Sequence, residues 1–204
     1  FGFDNTCDVR FHPNENLYSI KNKKIAIYSK LIGEHNRMNI MAAIAIGEAL
    51  DIPCNVIKES LDGDVIISGR LEVKRLRKDI VLIDDSYNAN PSSMMRAIDV
   101  LAEYKGNKIL VIGDMAELGN LAVKHHKDLA KYILEKKINV VFGVGKMTKL
   151  TIDILGDVGR WYESNSDLTI DLEKLLKKEC IVLIKGSRFM KMEQIVKDLE
   201  SRNP

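Results

Sequence analysis

Cysteine is scarce in this 204-residue chain. Cys7, Cys54 and Cys180 are the only three, far apart and odd in number, with no CxxC pair and no histidine nearby at metal-ligand spacing. Such sparse usage argues against a disulfide framework and a cysteine zinc site, and leads us to expect reduced, partly buried thiols in a cytoplasmic protein. Long apolar runs are missing too: none approaches the roughly 18 residues of a membrane span. The opening residues Phe1-Gly2-Phe3-Asp4 lack both an initiating Met and the charged-then-apolar layout of a signal peptide. The chain is therefore expected to begin inside a longer protein. Nor does charge of one sign prevail. Lys and Arg number 31 against 29 Asp and Glu, and the two signs interleave, as in Leu172-Glu173-Lys174-Leu175-Leu176-Lys177-Lys178-Glu179. That is the pattern of a solvated helix face, and no nucleic-acid partner is expected. Internal repeats and low-complexity linkers are also lacking, so repeat architectures drop out.

What remains is 46% hydrophobic and 29% charged residues, ordinary for a globular protein, in a length that suits one large domain or one domain and a smaller piece. From about residue 80, short β-branched runs alternate with longer amphipathic stretches. Ile80 to Ile83, Lys108 to Ile112, Val140 to Val144 and Ile181 to Ile184 read as buried strands, each a continuous Val/Ile/Leu-rich run. Helices are expected at Ser92 to Tyr104, Ala122 to Lys136, Lys146 to Leu155, Leu168 to Lys178 and Met190 to Glu200. In the first of these Met95, Ile98, Leu101 and Ala102 fall on one stripe and Pro91 opens it. Alternation of this kind predicts an α/β fold, a mostly parallel sheet covered on both faces, over residues 79–204. Residues 1–78 read differently. Asp8 to Phe11, Tyr18 to Ile20 and Lys24 to Tyr28 suggest short strands with bends at Asn14-Glu15-Asn16 and Lys21-Asn22-Lys23. A helix with Met38, Met41, Ala42, Ala45 and Ala49 follows and stops at Asp51-Ile52-Pro53. This is too little for a complete α/β domain and reads as the tail of one, with the boundary between Gly69-Arg70 and Asp79.

The segment Ile83-Asp84-Asp85-Ser86-Tyr87-Asn88-Ala89-Asn90-Pro91 lies after the first strong strand and before a helix, where open α/β sheets place ligand-binding groups. A carboxylate there can accept from ribose hydroxyls, and Asn and Ser can hold polar ligand edges. Equally, Asp85 and Ser86 can satisfy a turn and Asn90 can cap the helix; spacing alone leaves both readings open.

This string, followed by Ser93-Met94, resembles a signature of the Mur ligases, ATP-dependent amide ligases, in the branch that adds D-alanyl-D-alanine. Val111-Ile112-Gly113-Asp114-Met115-Ala116-Glu117-Leu118-Gly119 is similar to the next signature. Gly33-Glu34-His35-Asn36-Arg37-Met38-Asn39 with Ala42-Ala43, Ser68-Gly69-Arg70 and Lys185-Gly186-Ser187-Arg188 extend the resemblance along nearly the whole chain. It implies that residues 1–78 are the end of a central ATPase domain and 79–204 a Rossmann-like C-terminal domain. ATP and Mg2+ are the implied cofactors, and UDP-N-acetylmuramoyl-tripeptide and D-alanyl-D-alanine the implied partners; a monomer is expected. The family's phosphate loop, magnesium ligands and carbamylated lysine would lie before Phe1. No G-x-x-x-x-G-K-[ST] string occurs here: Gly143-Val144-Gly145-Lys146-Met147-Thr148 fails it, with Val140 where the first Gly is needed and Met147 after the Lys. The chain by itself is therefore expected to be inactive.

By position, the resemblance puts Asn36 and Asn39 on the nucleotide side, one of them at the adenine edge. Arg70 would approach the ATP phosphates, whose oxygens suit a planar donor fork. Asp85 would hold the ribose, with Tyr87 and Asn88 beside it. Asn90, Asp114, Glu117, Lys185, Ser187 and Arg188 fall to dipeptide binding or domain closure. Ser187, Arg188 and backbone N–H groups at a helix start would take the dipeptide carboxylate, and Asp114 and Glu117 its ammonium or the closing interface. Plainer readings stand beside these: Asn36 as a helix cap, Arg70 in a surface ion pair, Lys185 to Arg188 as a basic loop. Of His125-His126, adjacent on a helix, one should pack and one be exposed. Met94-Met95 reads as core. Two other functions compete: another amino-acid-adding ligase of folylpolyglutamate-synthase type, which the Ser86 to Pro91 string disfavours, and a Rossmann-like nucleotide-binding module, for which a G-x-G-x-x-G is lacking at the first strand-helix turn.

Overall fold

The computed structural model describes residues 1–21, 23–29, 31–62, 68–77, 79–176 and 179–202. Asn22 of the second expected bend, and Lys177 and Lys178 at the expected end of a helix, lie outside the described residues. The chain forms two compact units, Phe1–Ile66 and Ile67–Pro204.

In the first unit β1 (Val9–His12), β2 (Leu17–Ile20) and β3 (Lys23–Ile25) make an antiparallel sheet in that order. Asn16 turns the first bend with φ of 51°, the left-handed conformation that asparagine tolerates. Helix α1 (Glu34–Ala49) buries Ile40, Met41, Ile44 and Gly47, a stripe rotated from the expected methionine and alanine one because the isoleucines carry more apolar area. A second helix, α2 (Cys54–Leu61), was not expected from the sequence: Pro53 stands at its N-cap position, so the residue that stops one helix also opens the next. The two helices approach closely where Gly47 faces Ile57; a Cβ on Gly47 would sit 2.7 Å from Ile57 Cδ1.

The second unit holds β4 (Glu72–Arg77), β5 (Ile80–Asp85), α3 (Pro91–Glu103), β6 (Asn107–Gly113), α4 (Ala122–Glu135), β7 (Val140–Val144), α5 (Thr148–Leu155), β8 (Gly159–Tyr162), α6 (Asn165–Leu175), β9 (Cys180–Lys185) and α7 (Glu193–Arg202). The sheet order is β4-β5-β9-β6-β7-β8, with β4 antiparallel to β5 and the remaining pairs parallel. Two strands escaped the sequence reading: β4, inside the charged stretch, and β8. From β5 through β8 the chain steps one way across the sheet, and right-handed crossovers put α3, α4 and α5 on one face; the step from β8 back to β9 reverses and puts α6 on the other.

Strand side chains divide accordingly. Leu82, Ile109, Val111, Phe142, Val182 and Ile184 join Leu168, Leu172, Ile195, Val196 and Leu199 of α6 and α7 in one core cluster. Their neighbours Ile83, Leu110, Val141 and Leu183 are also fully buried, so both faces are covered and the strands read as unbroken apolar runs. On α3 the buried stripe is Met94, Ala97, Ile98, Val100 and Leu101. Met95, expected in the core, is 40% exposed, since Met94 is the one that turns inward.

Candidate functional site

Reversal of the winding makes a switch point. The helix after β5 lies on one face and the helix after β9 on the other, so the connections diverge and leave a crevice outside the carboxyl ends of these neighbouring strands. Asp85 and Lys185 are the last residues of β5 and β9 and are register partners. Lys185 Nζ lies 2.7 Å from Asp85 Oδ2 and donates to the Asn88 carbonyl at 2.7 Å, while Asp85 Oδ1 accepts the Leu71 N–H at 3.2 Å. Both side chains are buried. Burial pushes the Asp85 carboxyl above its ordinary range, with Lys185 and the Leu71 N–H pulling the other way. Burial likewise pushes the Lys185 ammonium down, against Asp85, and the nearby Arg70 charge adds to the lowering. Asp85 is thus the internal counter-ion of Lys185, and the pair fixes both ends of the 85–88 turn.

Residues after Asp85 divide into frame and surface. Ser86 is buried and its N–H donates to Asp84 Oδ1 at 3.1 Å. Asn88 Oδ1 accepts the Ala89 N–H, and Asn90 caps α3 in a reciprocal box: its Oδ1 accepts the Ser93 N–H at 2.9 Å and its own N–H donates to Ser93 Oγ at 3.0 Å. Tyr87 points outward, 47% exposed. The Arg70 guanidinium lies 4.6 Å and that of Arg188 5.9 Å from its ring centroid. Behind it the Tyr87 N–H donates to the Gly69 carbonyl at 3.0 Å; Gly69 has φ of +73°, and a Cβ there would come within 3.1 Å of the Tyr87 nitrogen. Only glycine suits that contact.

The β6 end is tied down in the same way. Asp114 Oδ1 accepts the Thr148 N–H at 2.7 Å and Oδ2 the Met147 N–H at 3.2 Å, so its carboxylate holds the start of α5. Its carbonyl accepts both the N–H, at 3.0 Å, and the hydroxyl of fully buried Ser187. The glycines of the failed phosphate-loop string have packing roles: Gly143 lets Ile152 of α5 approach β7, and Gly145, with φ of +112°, makes room for the Asp114 carboxylate. Glu117 is exposed with a left-handed φ of 60°. His126 is the histidine that packs; Nδ1–H donates to the Ala122 carbonyl and Nε2 accepts the Met115 N–H at 3.2 Å, pinning the 114–118 loop. Nothing in the sequence marked that loop as its partner.

A cleft of about 370 Å³ opens beside Tyr87 and Arg188, lined also by Gly69, Lys74, Asp84 and Glu193. Lys74 Nζ stands 3.1 Å from Glu200, 3.7 Å from Asp84 and 3.8 Å from Glu72, and Arg188 Nη1 stands 3.4 Å from Glu193. In the other unit Asn36 lies within α1 and does not cap it: Gly33 is the N-cap, and Asn36 Nδ2 donates back to the Ile32 carbonyl at 2.7 Å. Asn39 Nδ2 reaches Asn36 Oδ1 at 3.4 Å. The second unit therefore brings Arg70, Asp85, Tyr87, Asn88, Lys185 and Arg188 to one sheet edge, while Asp114 and Ser187 brace the next strand end.

Fold and site together define an α/β domain of mostly parallel sheet with a charged cluster where its winding reverses. The family model for the Mur ligase glutamate ligase domain matches residues 69–188, and the chain belongs to that family. A relative from Buchnera aphidicola, UDP-N-acetylmuramoyl-tripeptide--D-alanyl-D-alanine ligase, is 39% identical over 180 residues, 87% of this chain and 39% of its own length. The Bacillus subtilis protein of the same name is 35% identical over 199 residues, 94% and 44% of the two lengths. A crystal structure of MurF from Acinetobacter baumannii is similar with a TM-score of 0.81 and 28% identity, covering 91% of this chain and 41% of its own. The chain thus spans about two fifths of the length of these relatives.

Proposed function

We propose that this chain is the C-terminal portion of an ATP-dependent, ADP-forming ligase that joins D-alanyl-D-alanine to UDP-N-acetylmuramoyl-tripeptide in peptidoglycan synthesis, working as a cytoplasmic monomer. The observation that carries the reading is the 39% identity over 87% of the chain to a ligase of that name. A carboxylate is a poor acyl donor because its leaving group would be oxide. ATP therefore transfers its γ-phosphoryl group to the tripeptide carboxylate, ADP departs, the dipeptide amine attacks the acyl carbon, and phosphate leaves as the amide forms. Protein groups contribute position and charge.

In this reading Arg70 meets the nucleotide phosphates and Arg188 the dipeptide carboxylate, since each presents an exposed guanidinium at the sheet edge. Tyr87 and Asn88 of the second unit are assigned to the nucleotide, and so, separately, are Asn36 and Asn39 of the first. Asp85, Lys185, Asp114, Ser187 and Asn90 serve as the frame, because their polar atoms are engaged within the protein; Glu117 is left for the dipeptide ammonium or for closure. Closure over the acyl phosphate would exclude water. Mg2+ belongs to the reading, yet among the described residues no three His, Cys, Asp or Glu side chains group to hold a metal ion.

The test is phosphate release by the enzyme from the whole reading frame with each acceptor varied. Release that requires both UDP-N-acetylmuramoyl-tripeptide and D-alanyl-D-alanine is expected. Release with a single amino acid in place of the dipeptide would assign the chain to another branch of the family.

A further inference from the structure

Two guanidiniums converge on one exposed aromatic ring at the switch point. Like charges repel, and at exposed positions nothing but a shared partner would keep Arg70 and Arg188 together. The ring face supplies that partner through its quadrupole. Arg188 has Glu193 at 3.4 Å; among the described residues Arg70 has no carboxylate within ion-pair distance. The ring itself is fixed from behind. Its backbone N–H is bonded to Gly69, the residue before Arg70, and the turn carrying it is anchored by Lys185 through the Asn88 carbonyl. Arg188 follows Ser187, whose N–H and hydroxyl both end on Asp114. The backbone beneath both arginines is therefore tied down by hydrogen bonds, whereas beyond it Arg70 lies against Tyr87 and Arg188 is held by Tyr87 and Glu193.

We infer that Tyr87 is a positioning residue that acts through its ring, holding Arg70 and Arg188 in place for two oxyanions and so coupling two substrate sites. The inference rests on the reading above, in which Arg70 serves the nucleotide phosphates and Arg188 the dipeptide carboxylate. A flexible arginine must lose side-chain freedom when it binds an anion; one already stacked has lost part of it. The phenol hydroxyl has no part in this, and a phenylalanine ring would serve as well.

Steady-state kinetics of the intact ligase, with ATP and D-alanyl-D-alanine varied in turn, test it in Tyr87→Leu, Tyr87→Phe, Arg70→Gln and Arg188→Gln. Tyr87→Leu is expected to raise both KM values by roughly two- to tenfold with a smaller effect on kcat, and Tyr87→Phe to bring both back to within about twofold of the parent. Arg70→Gln should raise chiefly the KM for ATP and Arg188→Gln chiefly that for the dipeptide. If Tyr87→Leu leaves both KM values unchanged, or Tyr87→Phe matches it, the ring is not the positioning element although the arginine assignments stand. If neither arginine variant moves a KM, the site reading itself fails. Tyr87 is half exposed, so the variants should fold, and an unchanged thermal midpoint in Tyr87→Leu separates positioning from loss of structure.

Discussion

Lys185 and Asp85 show how a single pair sets the geometry of a strand end. Two charges enclosed in protein lose hydration that their mutual attraction only partly returns, whereas one left alone loses it with no return. Lys185→Met should therefore destabilise the chain by about 3–5 kcal/mol near pH 7, and adding Asp85→Asn should recover much of that. The pH dependence has a definite sign. The folded Asp85 carboxyl already binds its proton more tightly than the unfolded chain does, and removing the lysine strengthens this. Stability of Lys185→Met then falls as pH rises through that raised value and recovers toward acid. Urea unfolding at about pH 7 and about pH 5 measures it; a deficit equal at both would mean that Asp85 stays ionised without its partner. The sequence announced Asp85 by its place after a strand. It could not announce Lys185 as the partner, because that contact exists only once β9 inserts beside β5 in one register.

Among the elements, α3 shows a cap that the sequence offered as one of two open readings of Asn90. Asn90, Pro91 and Ser93 occupy N-cap, first-turn and box positions, and the helix they start buries Met94, Ile98 and Leu101. Asn90→Ala should cost about 1 kcal/mol, a fall of roughly 2–4 °C in thermal midpoint for a chain of this size. Asn90→Asp, which still accepts the Ser93 N–H, should lose far less. If Asn90→Ala keeps its midpoint while the intact ligase loses dipeptide affinity, Asn90 is a ligand contact and not a cap. Central strands were legible because burial on both faces demands unbroken apolar runs. The edge strands were not: β4 reads Glu72-Val73-Lys74-Arg75-Leu76-Arg77 with only Leu76 buried, and β8 has four residues, none of them buried. Charge on an edge strand protects it from stray pairing and hides it from a pattern search for the same reason. Helix α2 escaped because its eight residues follow directly on a proline that reads as a stop.

At the scale of the whole chain, the question is where the second unit begins. Sequence reading placed the boundary between Gly69-Arg70 and Asp79, on the charged stretch before the first strong strand, and counted the domain from residue 79. The strand within that stretch pairs along β5 from Glu72 to Arg77, and its Leu76 is 5% exposed in the same core as Leu82 and Val182. Residues 69–74 hold the site: the Leu71 N–H meets Asp85, the Gly69 carbonyl meets Tyr87, and Lys74 faces Asp84. A chain of residues 68–204 should therefore unfold in one cooperative transition. One of residues 79–204 should be weaker by at least the roughly 2–5 kcal/mol of an emptied leucine site. It would also expose the β5 edge, a template for pairing with a second copy. Urea unfolding of the two truncated chains, hydrogen exchange at the β5 amides and sedimentation at several concentrations measure these effects together. Equal stability and equal β5 protection in both would place the boundary at residue 79 and make β4 an appendage; faster exchange confined to β5, with concentration-dependent association of the shorter chain, is the outcome that the ladder, the core leucine and the three backbone and ion contacts require.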